Sequence, residues 1–253
     1  MDNKERRVFL HAGRGTEWEE MERDQYQGVP MPPFHKPPPA GAPLIDLVAP
    51  EALTAKTLCA GQTTLIDAIN ARKSHRAYTD EPLSLAELSW LLWATQGVKG
   101  YRKDGAATYR TVPSAGGRQP FELYLLAHNV EGLAPAPALY RYLALDHKLC
   151  RVRAPVEDVP ERWFMKNNAV VLIWCALPYR TEWRHNRFAH KMIALDAGHS
   201  CENLYLAVEA IGAGACAVAV YWQDEMDALI GVDGVDEFVV YVAPVGKIEQ
   251  AYE

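Results

Sequence analysis

The stretch RFAHKMIALDAGHSCENLYLAVEAI, Arg187 to Ile211, decides the fold. It contains no proline. Phe188, Met192, Leu195, Leu204, Val208 and Ile211 recur along it beside a second stripe of Ile193, Ala197, Cys201 and Tyr205. This pattern predicts one helix of about 24 residues, roughly 36 Å long and apolar on most sides. Such a helix needs cover on most of its surface, so it suits the centre of a domain or a subunit interface. Gly212 and Gly214 are the natural stop.

Outward from this helix, Ala215 to Trp222 reads as a strand, Asp224 to Ile230 as a short helix and Glu237 to Val245 as a last strand. On the other side, Ala169 to Leu177 is a continuous apolar run bounded by Pro178, which suits a strand buried on both faces. Phe121 to Ala127 is a further strand, and Leu139 to Leu143 with Lys148 to Val152 predicts a hairpin around Asp146-His147. Two helices precede them. Thr64 with Asp67 three residues on starts one that runs to Arg72, with Leu65, Ile66 and Ile69 on its apolar side. Ser84 with Glu87 starts the other, which carries Leu88, Leu91, Leu92 and Thr95 to Gly97; its Trp90 and Trp93 are expected in the core. The order of elements predicts an α+β fold with a central, mostly antiparallel sheet flanked by helices.

The 253 residues, 49% hydrophobic and 23% charged, suffice for one large domain, expected over 44–253. Residues 1–43 differ, with mixed charges and then a proline cluster from Val29 to Pro43, and predict an extended arm. It is either a disordered tail or a segment that wraps a partner subunit. A net charge of -6 with scattered Lys and Arg disfavours nucleic acid as a partner. No run approaches the roughly 18 apolar residues of a membrane span, and the start of the chain has no signal-like apolar core, so a cytoplasmic protein without membrane attachment is expected. Five widely spaced cysteines, mostly in apolar runs, agree with buried free thiols in a reducing compartment.

Against that acidic background one basic cluster stands out: Arg72, Lys73, Ser74 and Arg76, where a helix gives way to a loop. Forked guanidiniums, an ammonium and a short hydroxyl suit a single phosphate. A second dense loop, Pro113-Ser114-Ala115-Gly116-Gly117-Arg118-Gln119-Pro120, brings small residues and directional hydrogen-bonding groups together. His190, His199 and Cys201 match no metal-site spacing, and no metal is assigned. Gly212 to Cys216 follows a helix and is a helix stop, not a dinucleotide loop.

Together the two loops resemble the nitroreductase family of FMN oxidoreductases, which pairs an R-x-S-x-(K/R) phosphate site with a P-S-x-x-(N/G)-x-Q-P flavin loop. The resemblance spans residues 60–248 and is similar in detail to the SagB-like branch, which includes peptide azoline dehydrogenases. It is carried by SHRAYTDEPLSLAELSWLLWATQGV, RTVPSAGGRQPFELYLL, ALYRY, DAGHSCENLYLAVEAIGAGACAVAV and VAPVGK. It implies a nitroreductase-like fold whose long helix lies at the interface of a homodimer, with two shared FMN sites. Arg72, Lys73, Ser74 and Arg76 would then hold the phosphate. Pro113, Ser114, Ala115, Gly116, Gly117 and Gln119, with Ala217, Val218 and Ala219 after the long helix, would line the ring, and Lys247 could add a phosphate contact.

The resemblance also implies NAD(P)H as electron donor and a small-molecule acceptor such as a nitro compound or quinone. Dehydrogenation of peptide azolines, or flavin binding without turnover, are the alternatives. Two positions depart from the family pattern. Ala219 stands where many nitroreductases carry an acidic residue. Trp183-Arg184-His185 stands where the azoline dehydrogenases carry a Lys-Tyr pair, leaving His185 as a weak candidate for proton transfer.

Overall fold

The computed structural model describes residues 7–11, 16–58, 63–103 and 105–249. Among these, nine strands form: β1 (Leu44–Asp46), β2 (Val98–Tyr101), β3 (Thr108–Arg110), β4 (Phe121–Ala127), β5 (Ala138–Leu143), β6 (Lys148–Arg153), β7 (Val170–Ala176), β8 (Ala213–Ala215) and β9 (Phe238–Lys247). Seven make one sheet in the order β1-β6-β5-β4-β7-β9-β8, antiparallel at every joint; β2 and β3 form a separate hairpin. The five main helices are α1 (Leu65–Ala71), α2 (Leu85–Gln96), α3 (Tyr179–His185), α4 (Ala189–Glu209) and α5 (Gln223–Ile230).

The central strands explain the two cores. In β4 and β7 every residue is buried, so alternation of side chains serves two apolar faces instead of one. Leu123, Leu125, Leu172 and Trp174 pack with α2 and α4. Leu126, Val171, Ile173 and Cys175 pack on the other side with Met226, Leu229 and Ile230 of α5. Three hydrogen bonds tie the first face together: Ser200 of α4 accepts from Trp174 Nε1 (2.9 Å) and Gln96 Nε2 (3.2 Å) and donates to the Thr95 carbonyl (2.9 Å). Buried, fully partnered groups of this kind fix how α4 sits on the sheet.

Both capping boxes form, at Thr64 with Asp67 and at Ser84 with Glu87. The hairpin, the doubly buried strand and the final strand also lie where the residue patterns put them. Three details differ. The long helix starts at Ala189, because Asn186 adopts φ +45° and a 3-10 turn (Asn186–Phe188) separates it from α3, a helix not anticipated.

The strand expected over Ala215 to Trp222 is only Ala213–Ala215. Its partner across the ladder at Cys216 is Pro244, which accepts from the Cys216 N–H (3.3 Å) but has no N–H to return. The ladder breaks there, resumes for one bridge at Val218–Val242, and the chain then leaves with Val220 and Trp222 exposed. Finally, Leu65, Ile66 and Ile69 of α1 are 65%, 71% and 57% exposed, and Leu195 of α4 is exposed as well. The apolar sides expected to be covered are thus open in the single chain.

Residues 16–43 of the arm lie against their own chain, with short helical turns at Glu17–Glu20 and Asp24–Tyr26, a placement that neither reading of the arm included. Val29 and Pro32 accept from Trp183 and Arg118. Cys150, Cys175, Cys201 and Cys216 are buried free thiols, and burial pushes Cys201 up to about 12; Cys59 lies outside the described residues. No described helix is long and apolar enough to cross a membrane.

Candidate active site

The basic cluster begins where α1 ends. Arg72 is the C-cap residue, and the chain then runs alongside β8: Ser74 bridges to Ala215 and the His75 N–H donates to the Ala215 carbonyl (2.9 Å). Gly214 is required at this crossing, since a Cβ there would lie 2.6 Å from the His75 ring. Ser74 Oγ meets the Tyr205 hydroxyl at 3.0 Å, and that hydroxyl accepts the Ala217 N–H (2.8 Å). Arg72 lies over the Tyr205 ring, 5.4 Å from its centroid. A single tyrosine of α4 therefore connects the cluster to the segment after β8.

Among the described residues, no carboxylate lies at ion-pair distance from Arg72, Lys73 or Arg76. Glu209, at the end of α4, is the acid that feels them: burial raises its pKa, and Lys73 and Arg72 pull it back. Three cations with no ion-pair partner among the described residues, beside a small hydroxyl, fit a phosphate in their donor chemistry.

The Pro113–Pro120 loop attaches to the opposite half of α4. The Ala115 N–H donates to both oxygens of Asp196 (3.2 and 3.1 Å), and Ser114 Oγ accepts the Gln119 N–H (2.9 Å). Asp196 is buried, which raises its pKa against the pull of the Ser114 hydroxyl and the Ala115 N–H. The backbone is left-handed at Gly116, Gly117 and Gln119. The glycines do more than open the loop to a ligand. A Cβ on Gly116 would fall 2.7 Å from Arg184 Cδ and His185 Nε2, and one on Gly117 would fall 2.9 Å from Ala107 Cβ. The loop is therefore pressed onto α3, the helix that carries Trp183-Arg184-His185.

Asp196 and Tyr205 are nine residues apart on one helix, about 14 Å along its axis. Within one chain the two loops are thus two separated half-sites on a common spine.

The other candidates fall as follows. His185 is buried and stacks on Trp18 of the arm (5.7 Å, 28°). Burial and then Arg184 push its pKa down to about 4, and neither ring nitrogen closes a hydrogen bond. Both the N–H and the carbonyl of Val218 are engaged by Val242, and the N–H of Ala217 by Tyr205, which leaves Ala219 the open position of the three. A cleft of about 400 Å³, lined by Pro178, His190, Ile193, Ala197, Ala219 and Tyr241 among others, opens beside it. Lys247 is paired with Glu87 (2.5 Å) and donates to the Ile211 carbonyl (2.8 Å), so its ammonium ties β9 to α2.

Tyr205 and Asp196 escaped the sequence reading as site residues. Tyr205 was hidden by its place in an apolar stripe. Asp196 had one signal, an acid flanked by Ile193, Ala197 and Ser200 on the buried side of the helix.

The antiparallel sheet with its flanking helices and the long α4 is an α+β fold of nitroreductase-like architecture. A model of the nitroreductase family matches residues 69–247, and the chain belongs to that family. Membership places it among the oxidoreductases, in a family whose members typically work with a flavin. It is 28% identical to a protein of Methanocaldococcus jannaschii assigned as a nitroreductase, over 72% of this chain and 90% of the relative. A solved structure of a protein from Ralstonia eutropha, also assigned as a nitroreductase, is 26% identical with a TM-score of 0.65 over 82% of this chain and 90% of that one. The NADPH:FMN oxidoreductase of Vibrio harveyi, solved with NAD+, shares the fold at 16% identity, with a TM-score of 0.51 over 75% and 70% of the two chains.

Proposed function

We propose that this chain is an FMN-dependent oxidoreductase, active as a homodimer, that passes electrons from NAD(P)H to a small organic acceptor such as a nitro compound or quinone. The observation that carries the reading is the unneutralised group Arg72, Lys73 and Arg76 with Ser74, tied through Tyr205 to the Ala217–Ala219 segment. One phosphate-sized cluster favours FMN over a dinucleotide flavin. Bound FMN supplies the hydride and electron transfer; the residues bind and orient it. Arg72, Lys73, Ser74 and Arg76 hold the phosphate, while Ser114 and Ala115, braced by Asp196, set the loop that faces the ring.

Two observations favour the dimer. The half-sites are about 14 Å apart on α4 in one chain, and apolar side chains at Leu65, Ile66, Ile69 and Leu195 stand open. A second copy would cover that surface and bring its Pro113–Pro120 loop to the Arg72 cluster of the first.

The test is to denature the purified protein, identify the released flavin, and assay NAD(P)H oxidation with nitro, quinone and flavin acceptors. FMN with turnover is expected. FAD, or no flavin after reconstitution, would overturn the reading, and FMN without turnover would move the protein to a storage or sensing role. Light scattering checks the dimer: Ile66→Asp with Ile69→Asp should yield a monomer that has lost its flavin, and a flavin-loaded monomer refutes the shared site.

A further inference from the structure

Arg118 belongs to the Pro113–Pro120 loop, yet it matches no part of the flavin motif, and its side chain is 1% exposed. Its guanidinium reaches three separate parts of the chain. Nε donates to the Arg180 carbonyl of α3 (2.9 Å), Nη1 to the Ala106 carbonyl between β2 and β3 (3.4 Å), and Nη2 to the Pro32 carbonyl of the arm (3.2 Å). Its Cζ also lies over the rings of Phe34, in the arm, and Trp183, at 5.0 and 4.9 Å from their centroids.

The arm is held by its carbonyls throughout this stretch. Besides Pro32, Val29 accepts from Trp183 Nε1 (2.9 Å), Phe34 from Arg110 (3.5 Å) and Pro37 from Arg141 (2.8 Å). A backbone N–H is fixed as well, that of Lys36, which donates to Glu122 (2.8 Å). A proline-rich segment is suited to this: it stays extended without internal hydrogen bonds, and its carbonyls are free to accept. Arg110, Arg118, Arg141 and Arg180 are all buried there; Glu122 pairs with Arg141 and Arg180, and the carbonyls of the arm, which acts as a strap, accept from Arg110, Arg118 and Arg141.

We propose that Arg118 is a positioning residue for the cofactor, and that it fixes the Pro113–Pro120 loop by clasping residues 29–37 of the arm. The strap and the flavin loop are then coupled: release of the strap removes one acceptor and one ring from Arg118, and the guanidinium that ties the loop to the Arg180 carbonyl and the Trp183 ring of α3 is left less fixed. This rests on the reading of that loop as a wall of the flavin site.

The test measures two quantities in the full chain with FMN bound: hydrogen exchange of the Val29–Pro37 amides, above all Lys36, and the rate of FMN release. Arg118→Ala should raise both at least tenfold. Arg118→Lys should recover little of either, since a compact ammonium, though it has three donors, lacks the planar span that reaches three separated carbonyls and the flat surface that stacks on aromatic rings. Phe34→Ala changes only the arm, leaves the loop sequence intact, and serves where Arg118→Ala does not fold; it should speed strap exchange and FMN release together.

Faster exchange with unchanged FMN release, or faster release with unchanged exchange, overturns the coupling, and so does full recovery by Arg118→Lys. If the wild-type protein takes up no flavin, the proposed function is what fails. The clasp is then read from exchange alone, and equal strap exchange in wild type, Arg118→Ala and Phe34→Ala refutes it.

Discussion

Replacing Arg72 by alanine separates a phosphate-binding group from an ordinary surface cation. Arg72 is half-buried against Tyr205 and has no carboxylate partner among the described residues, so an arriving phosphate meets a guanidinium that is already oriented and not neutralised. A charge-assisted contact of that kind is worth roughly 1.5 to 3 kcal/mol, which sets the expected loss of FMN affinity at about ten- to a hundredfold. Arg76 is exposed, more fully hydrated and less fixed, so Arg76→Ala should fall at the lower end of that range. Arg72→Lys keeps the charge but not the fork, and should lose less than the alanine variant. Riboflavin supplies the control, because it has no phosphate: its weaker binding should be nearly indifferent to each substitution. Titration of apoprotein with both flavins, followed by fluorescence quenching, reads all of these. Equal losses for FMN and riboflavin would mean that the substitution acts through folding, and a change below about fivefold for FMN would mean an exposed charge of little consequence. Either result refutes the phosphate assignment.

Tyr205→Phe strands the Ala217 N–H and frees Ser74, so it should cost about 1 to 3 kcal/mol in urea unfolding and weaken FMN binding with it; an unchanged midpoint would show that the connection is dispensable. Glu87→Ala removes a capping box and leaves the largely covered Lys247 with only the Ile211 carbonyl. A loss of about 3 to 5 kcal/mol is expected, and a loss under about 1 kcal/mol would contradict the buried pair. His185 titrates at about 4 in the folded protein against 6.5 for a free imidazole. Between those values the unfolded chain takes up a proton that the folded chain refuses, so its share of stability is complete above about pH 6.5 and is lost as the pH falls toward 4, by about 3 kcal/mol at most. His185→Phe should flatten the pH dependence of the unfolding midpoint over that interval, and an unaltered slope would exclude His185 as its source.

Much of the fold was legible because its signals are local. Capping boxes at Thr64 and Ser84 need only residues three apart, and the doubly buried β7 announces itself as an unbroken apolar run. Where local preference met a distant partner, the reading failed. Ala215 to Trp222 has strand composition throughout, but the strand stops because Pro244, some thirty residues on, has no N–H to return. The residues of the site divide in the same way. Arg72 to Arg76 and Pro113 to Pro120 could be read from density of charge and of small residues. Tyr205 and Asp196 could not, since their importance comes from which loops α4 meets at two points on its length. The glycine pair reads in sequence as room for a flat ring; the structure adds that Gly116 and Gly117 admit α3 and Ala107 into close contact, which no one-dimensional pattern reports.

The two departures from the family pattern acquire a physical sense from the same geometry. Trp183-Arg184-His185 stands where a proton-transferring pair would be expected in azoline dehydrogenases, and none of the three is arranged for that work. Trp183 stacks on Arg118 and binds the Val29 carbonyl, Arg184 packs against Gly116, and His185 is sealed beneath Trp18. A base must reach its proton and must titrate near the working pH. His185 is buried, and its pKa near 4 leaves it a feeble base at neutral pH. Protonation there would add a cation among Arg184, Arg23 and Arg118, whose charges already disfavour it. The segment acts as the bearing surface between the arm and the Pro113–Pro120 loop. With Ala219 contributing no charge on the other side, the electrostatic work of the proposed site falls to the Arg72 cluster, which is why the phosphate test weighs most in deciding the function.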